Sequence, residues 1–307
     1  MAKAGTKAGD VRIGISGWRY RGWRGDFYPK GLVQKNELSH ASNIFRSIEI
    51  NGTHYSLQRP QSFARWAAET PDDFVFAVKG PRYITHMLKL KDVEIPLANF
   101  LASGLFELGS KLGPILWQFP ERFTFDPERI ESFFALLPRD TAEARKLARR
   151  HDRHLPGRTS LKAGPTYPMR HAMEIRNRTF IDPAFIKLLH KYRVALVCAD
   201  TVDWPRLMDV TSDFVYCRLH GSEQLYVSGY DDDALETWAG RVAAWACGTE
   251  PDDAERVLDR PAPKRARRDV FVYFDNDAKV RAPYDAQALV TKVGKRLGRE
   301  EKGKRGR

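Results

Sequence analysis

Eight short apolar runs alternate with amphipathic segments along the 307-residue chain. This alternation predicts a closed, TIM-like (β/α)8 barrel of parallel strands. Three observations carry the prediction. Most of the runs are near-continuous in Val, Ile, Leu and Phe, as suits strands buried on both faces. The segments between them space their apolar residues at helical intervals. Polar and charged residues gather where the runs end, the place where barrels keep their chemistry. A doubly wound open sheet shares the same grammar and is the alternative.

The strands are expected at 11–16, 47–51, 74–79, 114–119, 172–176, 194–200, 214–220 and 270–276. In "DPERIESFFALL" Asp126 is an N-cap and Pro127 fits the first helical turn, followed by Ile130, Phe133, Phe134 and Leu137 on one face. The pattern recurs in "DPAFIKLLHKY", with Asp182, Pro183, then Phe185, Leu188, Leu189 and Tyr192. Further helices fit 60–68, 96–109, 231–246 and 283–297. Between Asp200 and Phe214 too little chain remains for a crossover helix, so strands 6 and 7 are joined by a degenerate unit, a short helical turn. One barrel domain is expected over 11–297, with exposed insertions at 138–168 and 248–268. Basic disordered tails are expected at 1–10 and 298–307.

No uncharged apolar run approaches the roughly 18 residues needed to span a bilayer, so no membrane partner is expected. The start, "MAKAGTKAGD", lacks an apolar h-region, which predicts a cytoplasmic location. Cys198, Cys217 and Cys247 are odd in number, form no CxxC, and argue against a disulfide framework or structural zinc. The net charge of +12 invites a nucleic-acid reading. Its distribution changes that reading. Four segments, 1–12, 139–165, 260–268 and 291–307, together carry +18, so the rest of the chain carries −6. The basicity is appended to the body, and a nucleic-acid partner would be gripped by these segments.

The two-residue period of a strand assigns the strand-end side chains. With Ile48 and Ile50 toward the helices, Glu49 and Asn51 face the barrel mouth. With Met173 and Ile175 outward, Glu174 and Arg176 face inward. With Val215, Cys217 and Leu219 outward, Tyr216, Arg218 and His220 face inward. Lys79, Gln118, Asp200 and the pair Asp275-Asn276 end the third, fourth, sixth and eighth strands. The loop Trp18–Tyr28, with five aromatics and three arginines, hangs over the same mouth.

Burying charge is unfavourable unless it is paired or used. One reading is an internal ion-pair layer, Glu49 or Glu174 bonded to Arg176 and Arg218. The functional reading is a pocket for an anionic small molecule. In it Lys79, Arg176 and Arg218 receive the anion, and Arg suits phosphate or carboxylate through its planar fork. Glu49, Glu174 and His220 are the candidate acid and base groups. Trp18, Tyr20, Asn51, His86, Gln118 and Asn276 complete the expected binding set. Glu174, His220 and Asp275, with Glu49 or His86, could instead hold a divalent metal; their spacing carries no ligand signature, so the cofactor stays unassigned. No P-loop, GxGxxG or GxSxG elbow occurs. A non-catalytic ligand sensor would carry the same pocket.

Eight stretches also resemble the domain-of-unknown-function 72 family, the YecE-like proteins. They are "GISGWRYRGWRGDFYP", "IEINGTHYSLQRPQSFARWA", "FVFAVKGPRYITH", "GPILWQFP", "MEIRNRTF", "VYCRLHGS", "SGYDDDAL" and "VYFDND". The resemblance implies a TIM-like barrel and no particular reaction. It places the family's polar positions on Glu49, Asn51, Thr85, His86, Gln118, Glu174, Arg176, Arg218 and His220. Asn177 and Phe180 stand where the family often has His and Trp, and Asp275-Asn276 where it has Asn-Asn.

Overall fold

The computed structural model describes residues 8–153, 155, 157–221, 229–276 and 280–299. Its strands run β1 (Val11–Ser16), β2 (Ser47–Ile50), β3 (Val75–Lys79), β4 (Leu112–Gln118), β5 (His171–Glu174), β6 (Ala195–Asp200), β7 (Phe214–Leu219) and β8 (Asp269–Phe274). They pair in chain order, all parallel, and β8 closes on β1. The architecture is a TIM-like (β/α)8 barrel.

The helices form around it where the sequence supplies caps and one apolar face. They are α1 (Glu37–Ile44), α2 (Gly52–Tyr55), α3 (Pro60–Ala68), α4 (Glu94–Ala102), α5 (Pro127–Leu136), α6 (Thr141–Ala148), α7 (Pro183–Tyr192), α8 (Asp232–Ala246) and α9 (Arg281–Arg296). Asp126 and Asp182 cap α5 and α7 as their sequence pattern requires, accepting from Arg129 N at 3.1 Å and Ala184 N at 2.7 Å. Among the described residues no helix is long and apolar enough to cross a membrane.

The core has two layers. The interior holds small residues, Ala77, Ala172 and Ala195, opposite the rings of Phe214, Tyr216, Phe271 and Tyr273. Outward-facing Ile48, Ile50, Met173, Ile175, Val215, Cys217 and Leu219 pack against the helices. Both layers match the two-residue period.

Several expectations need correction. The helix expected at 96–109 ends at Ala102, because Gly104 and Gly109 take positive φ and break the chain into 3-10 turns. No helical turn joins β6 to β7. That linker is instead pinned by the segment 248–268. Asp209 accepts from the backbone of Val257 at 2.8 Å and Leu258 at 3.1 Å, and Met208 N donates to Glu255 O at 2.7 Å. The insertion is largely exposed, as expected, and is tied down where it meets this linker. Segment 138–168 is also largely exposed among its described residues, while Ala144, Ala148 and Leu155 are buried in the core. Of the expected tails, residues 1–7 and 300–307 lie outside the described residues. Residues 8–9 belong to the body, where Gly9 N donates to Ala246 O at 2.9 Å.

Candidate active site

The C-terminal ends of β1, β2, β5, β7 and β8 bring one cation and three carboxylates together. Arg218, from the inward face of β7, is fully buried. Its Nη1 donates to Glu174 Oε2 at 2.7 Å, and its Nη2 donates to Asp275 Oδ2 at 2.7 Å, Glu49 Oε1 at 3.0 Å and Ser16 Oγ at 3.1 Å. Glu49 also accepts from Ser16 Oγ, and from the Tyr216 hydroxyl at 2.5 Å. Burial and then Glu49 push the Tyr216 phenol well above its ordinary range, so it stays protonated and donates. Arg176 donates through Nε to Glu174 Oε1 at 3.1 Å and lies 3.7 Å over the Trp204 ring. His220 Nδ1 is 3.3 Å from Asp275 Oδ2, with Trp204 edge-on at 5.5 Å.

Electrostatics fixes the protonation of this ring. Burial alone would raise the Glu174 carboxyl; Arg218, then Arg176, hold it well below the usual carboxylate range. Asp275 is depressed in the same way, against burial, by Arg218 and His220. Glu174 is thus held as an anion by the two guanidinium groups.

Lys79 stands apart. It is 8 % exposed at the end of β3, on the inward side that Ala77 also occupies. Its amine makes no hydrogen bond or ion pair with any of the described residues. Burial, then Arg218, pull it down to about 8, against the opposing pull of Glu49, Asp275 and Glu174. On the strands either side, Asn51 Oδ1 and Gln118 Oε1 are buried without a hydrogen-bond partner. Beyond β3, His86 Nδ1 lies 2.8 Å from Thr85 Oγ1 and its ring packs edge-on against His54 at 5.1 Å. Burial, with Arg176 and Lys79, lowers His86 to about 4; burial and Lys79 lower His54 to about 3.

The structure thus brings together Glu49, Asn51, Lys79, His86, Gln118, Glu174, Arg176, Arg218 and His220. Others are placed elsewhere. Trp18 is 7 % exposed and packs between strands and helices, against Trp66 at 5.4 Å and the outward-facing Phe76 at 6.4 Å. It is core, not a pocket wall. Gly17 turns the chain with φ +83°, and Tyr20 folds back over that turn, its hydroxyl donating to Ser16 O at 2.5 Å. Asn276 donates to Asp285 Oδ2 of α9 at 2.8 Å and Asp200 accepts from Trp238 of α8 at 3.2 Å, so both tie strand ends to helices. Arg218 cannot meet an anion directly, because three carboxylates already hold it. Its guanidinium fills the centre where a metal shared by those carboxylates would lie. Among the described residues no group of three or more His, Cys, Asp or Glu is disposed to hold a metal ion.

Sequence reasoning missed Ser16 and Trp204. Alternation along β1, with Ile13 and Ile15 outward, was sufficient to find Ser16. Trp204 sits in an aperiodic linker and gives no such signal.

Comparison with known proteins agrees with this architecture. The chain is 28 % identical over 127 residues to the UPF0759 protein YecE of Escherichia coli K12, covering 41 % of this chain and 43 % of that one. It is 25 % identical over 131 residues to the UPF0759 protein YunF of Bacillus subtilis, covering 39 % and 43 %. The matched stretch therefore spans less than half the length of either relative. A solved DUF72 family protein of Thermotoga maritima superposes with a TM-score of 0.68 at 22 % identity, covering 92 % of this chain and 99 % of that one. One from Enterococcus faecalis gives 0.62 at 16 %, covering 92 % and 95 %. These two likenesses speak to the fold alone. The model of the family described as "Protein of unknown function DUF72" matches residues 12–305, and the chain belongs to that family.

Proposed function

We propose that the barrel mouth is the active site of an enzyme that moves protons on a small molecule carrying an anionic group. The observation that carries this reading is Lys79, an amine without an ion-pair partner beside a ring whose other charges are paired. Three cations, Lys79, Arg176 and Arg218, stand against three carboxylates, Glu49, Glu174 and Asp275. The Arg218-centred layer holds the field in place, as preorganised charges do in active sites. Arg176, with its side chain 14 % exposed and its guanidinium carbon 3.7 Å over the Trp204 ring, offers its fork to the anion. Lys79 and His220 exchange the proton. The burial of Arg218 narrows anion reception to Arg176 and Lys79.

The nucleic-acid alternative draws less support, because the basic segments spend many of their charges locally. Lys162 pairs with Glu107 at 3.1 Å, Arg150 with Glu94, and Arg268 donates to Pro263 O at 2.6 Å.

Thermal unfolding tests the reading with sugar phosphates, 2-oxo acids, nucleotides and a short single-stranded oligonucleotide. A ligand at a hundred times its dissociation constant adds about 2.7 kcal/mol to stability. The expected result is a shift with a small anion that disappears in Arg176→Ala. A shift with the oligonucleotide alone, abolished by salt, would move the function to the basic segments.

A further inference from the structure

We infer that Lys79 is an imine-forming amine and that the substrate is an aldehyde or ketone bearing an anionic group. The inference rests on the reading of the mouth as an active site and adds the substrate class.

The molecule contains its own control. Lys111 is as buried as Lys79, at 9 % exposed, yet its amine donates to Ala67 O at 2.6 Å, Thr70 O at 2.7 Å and Thr70 Oγ1 at 3.3 Å. That is how this fold treats a lysine used for structure. Lys79 has equal burial and no such bonds. It points into the barrel at the C-terminal end of its strand, where barrel enzymes place reacting groups. An amine desolvated beside another cation is the arrangement that activates a lysine for attack on carbonyls. With its pKa pulled down to about 8, about a tenth of Lys79 is neutral at pH 7, against fewer than one in a thousand for an ordinary lysine.

The chemistry balances with the groups present. The neutral Nζ gives its lone pair to the carbonyl carbon, and the C=O pair moves to oxygen, which takes a proton. The nitrogen loses a proton, and the carbinolamine hydroxyl leaves as water after protonation, while the nitrogen lone pair forms C=N. The net change is amine plus carbonyl plus one proton to iminium plus water, with no oxidation or reduction. These proton transfers are assigned to His220, which lies just past the end of β7 with its Nδ1 3.3 Å from Asp275 Oδ2. Asn51 Oδ1 and Gln118 Oε1, buried and unpartnered on the flanking strands, accept the carbinolamine hydroxyl. The iminium keeps a positive charge at position 79, so the balance against Glu49, Glu174 and Asp275 is retained through the reaction. Arg176 holds the anionic group.

Two measurements on the full chain test this. In the first, trace acetylation with acetic anhydride across pH 6.5–11, followed by peptide mapping, reads each lysine separately. Lys79 should react with a midpoint near 8 while surface lysines react near their usual 10.4. If Lys79 titrates with the surface lysines, or does not react, the inference falls. In the second, pyruvate, dihydroxyacetone phosphate and glyceraldehyde 3-phosphate are each added with sodium cyanoborohydride. At least one should leave a reduced adduct on the Lys79 peptide at more than tenfold the level on Lys111 and on surface lysines, and none in Lys79→Met. No preferential adduct, in a protein that a small anion still stabilises through Arg176, overturns the imine and leaves the proton-transfer site standing. No adduct and no small-anion binding removes both.

Discussion

Each end of the barrel buries a lysine, and the two are treated differently. At the N-terminal end Lys111 is satisfied by carbonyls of the α3 region, and His171 lies between Pro138 O at 2.8 Å and Trp117 Nε1 at 3.2 Å. The partners of these two side chains are backbone carbonyls, the Thr70 hydroxyl and a core ring. At the C-terminal end the partners are three carboxylates and the Ser16 hydroxyl, drawn from four other strand ends to one guanidinium. Asn51 Oδ1 and Gln118 Oε1 are left over, and the Lys79 amine has no hydrogen-bond or ion-pair partner among the described residues. Unsatisfied buried polar atoms cost about 1–3 kcal/mol each. Buried polar atoms without a partner also occur at the other end, Arg268 Nε among them, so it is the lone amine of Lys79 that sets the C-terminal end apart.

The largest test of that contrast is Arg218→Met. It leaves three carboxylates buried without their shared cation, which costs on the order of 3–5 kcal/mol. Urea unfolding should show this variant as less stable than Lys111→Met, and the reverse order would mean that the ring is not the electrostatic centre described above.

A sharper test compares the two buried lysines. Lys111→Met strands two carbonyls and should lose about 1–3 kcal/mol. Lys79→Met removes an amine whose lowering from 10.5 to about 8 corresponds to roughly 3 kcal/mol of strain on the charged form. It should therefore gain about 1–3 kcal/mol at pH 7 while losing the carbonyl adduct. Equal signs for the two substitutions would erase the distinction between the ends.

Titration reads the same contrast in the unmodified protein. Lys79 is faced by Arg218 from β7, Glu49 from β2, Glu174 and Arg176 from the β5 end, Asp275 after β8, and His54 and His86 beyond their strands. Between pH 8 and 10.5 the unfolded state binds the lysine proton and the folded state does not. Stability from this group therefore rises with pH through that window, and Lys79→Met should flatten the rise. On the acid side His171, lowered by burial to about 4, and His54, lowered to about 3, stay neutral when folded. Both ends then lose stability as pH falls below about 6.5, so His54→Gln should remove only part of the loss. The smallest stability effect belongs to Arg176→Ala. Glu174 keeps Arg218, so melting should shift by about 1 kcal/mol or less while small-anion binding disappears.

Much of the ring was legible in the sequence. Strict period-2 alternation made Ile48, Ile50, Met173, Ile175, Val215 and Leu219 the outward set, and this placed Glu49, Glu174, Tyr216, Arg218 and His220 inside. Loops were not legible in this way. Trp18 follows a glycine with positive φ, which takes the chain out of the strand period and turns the indole toward Trp66. The segment 248–268 reads as polar and exposed and is largely so, but its backbone donors at Val257 and Leu258 meet Asp209 across 48 and 49 positions of chain.

The sequence by itself determined the strand count, the parallel run of the strands, the helix caps and the polarity of the barrel mouth. All of these follow from local periodicity and capping chemistry, which neighbouring residues encode. The tertiary structure decided which charge meets which. Coulomb energy depends on distances between strand ends far apart in sequence. Only closure of the barrel brings Arg218 onto Glu49, Glu174 and Asp275 and leaves Lys79 without a partner.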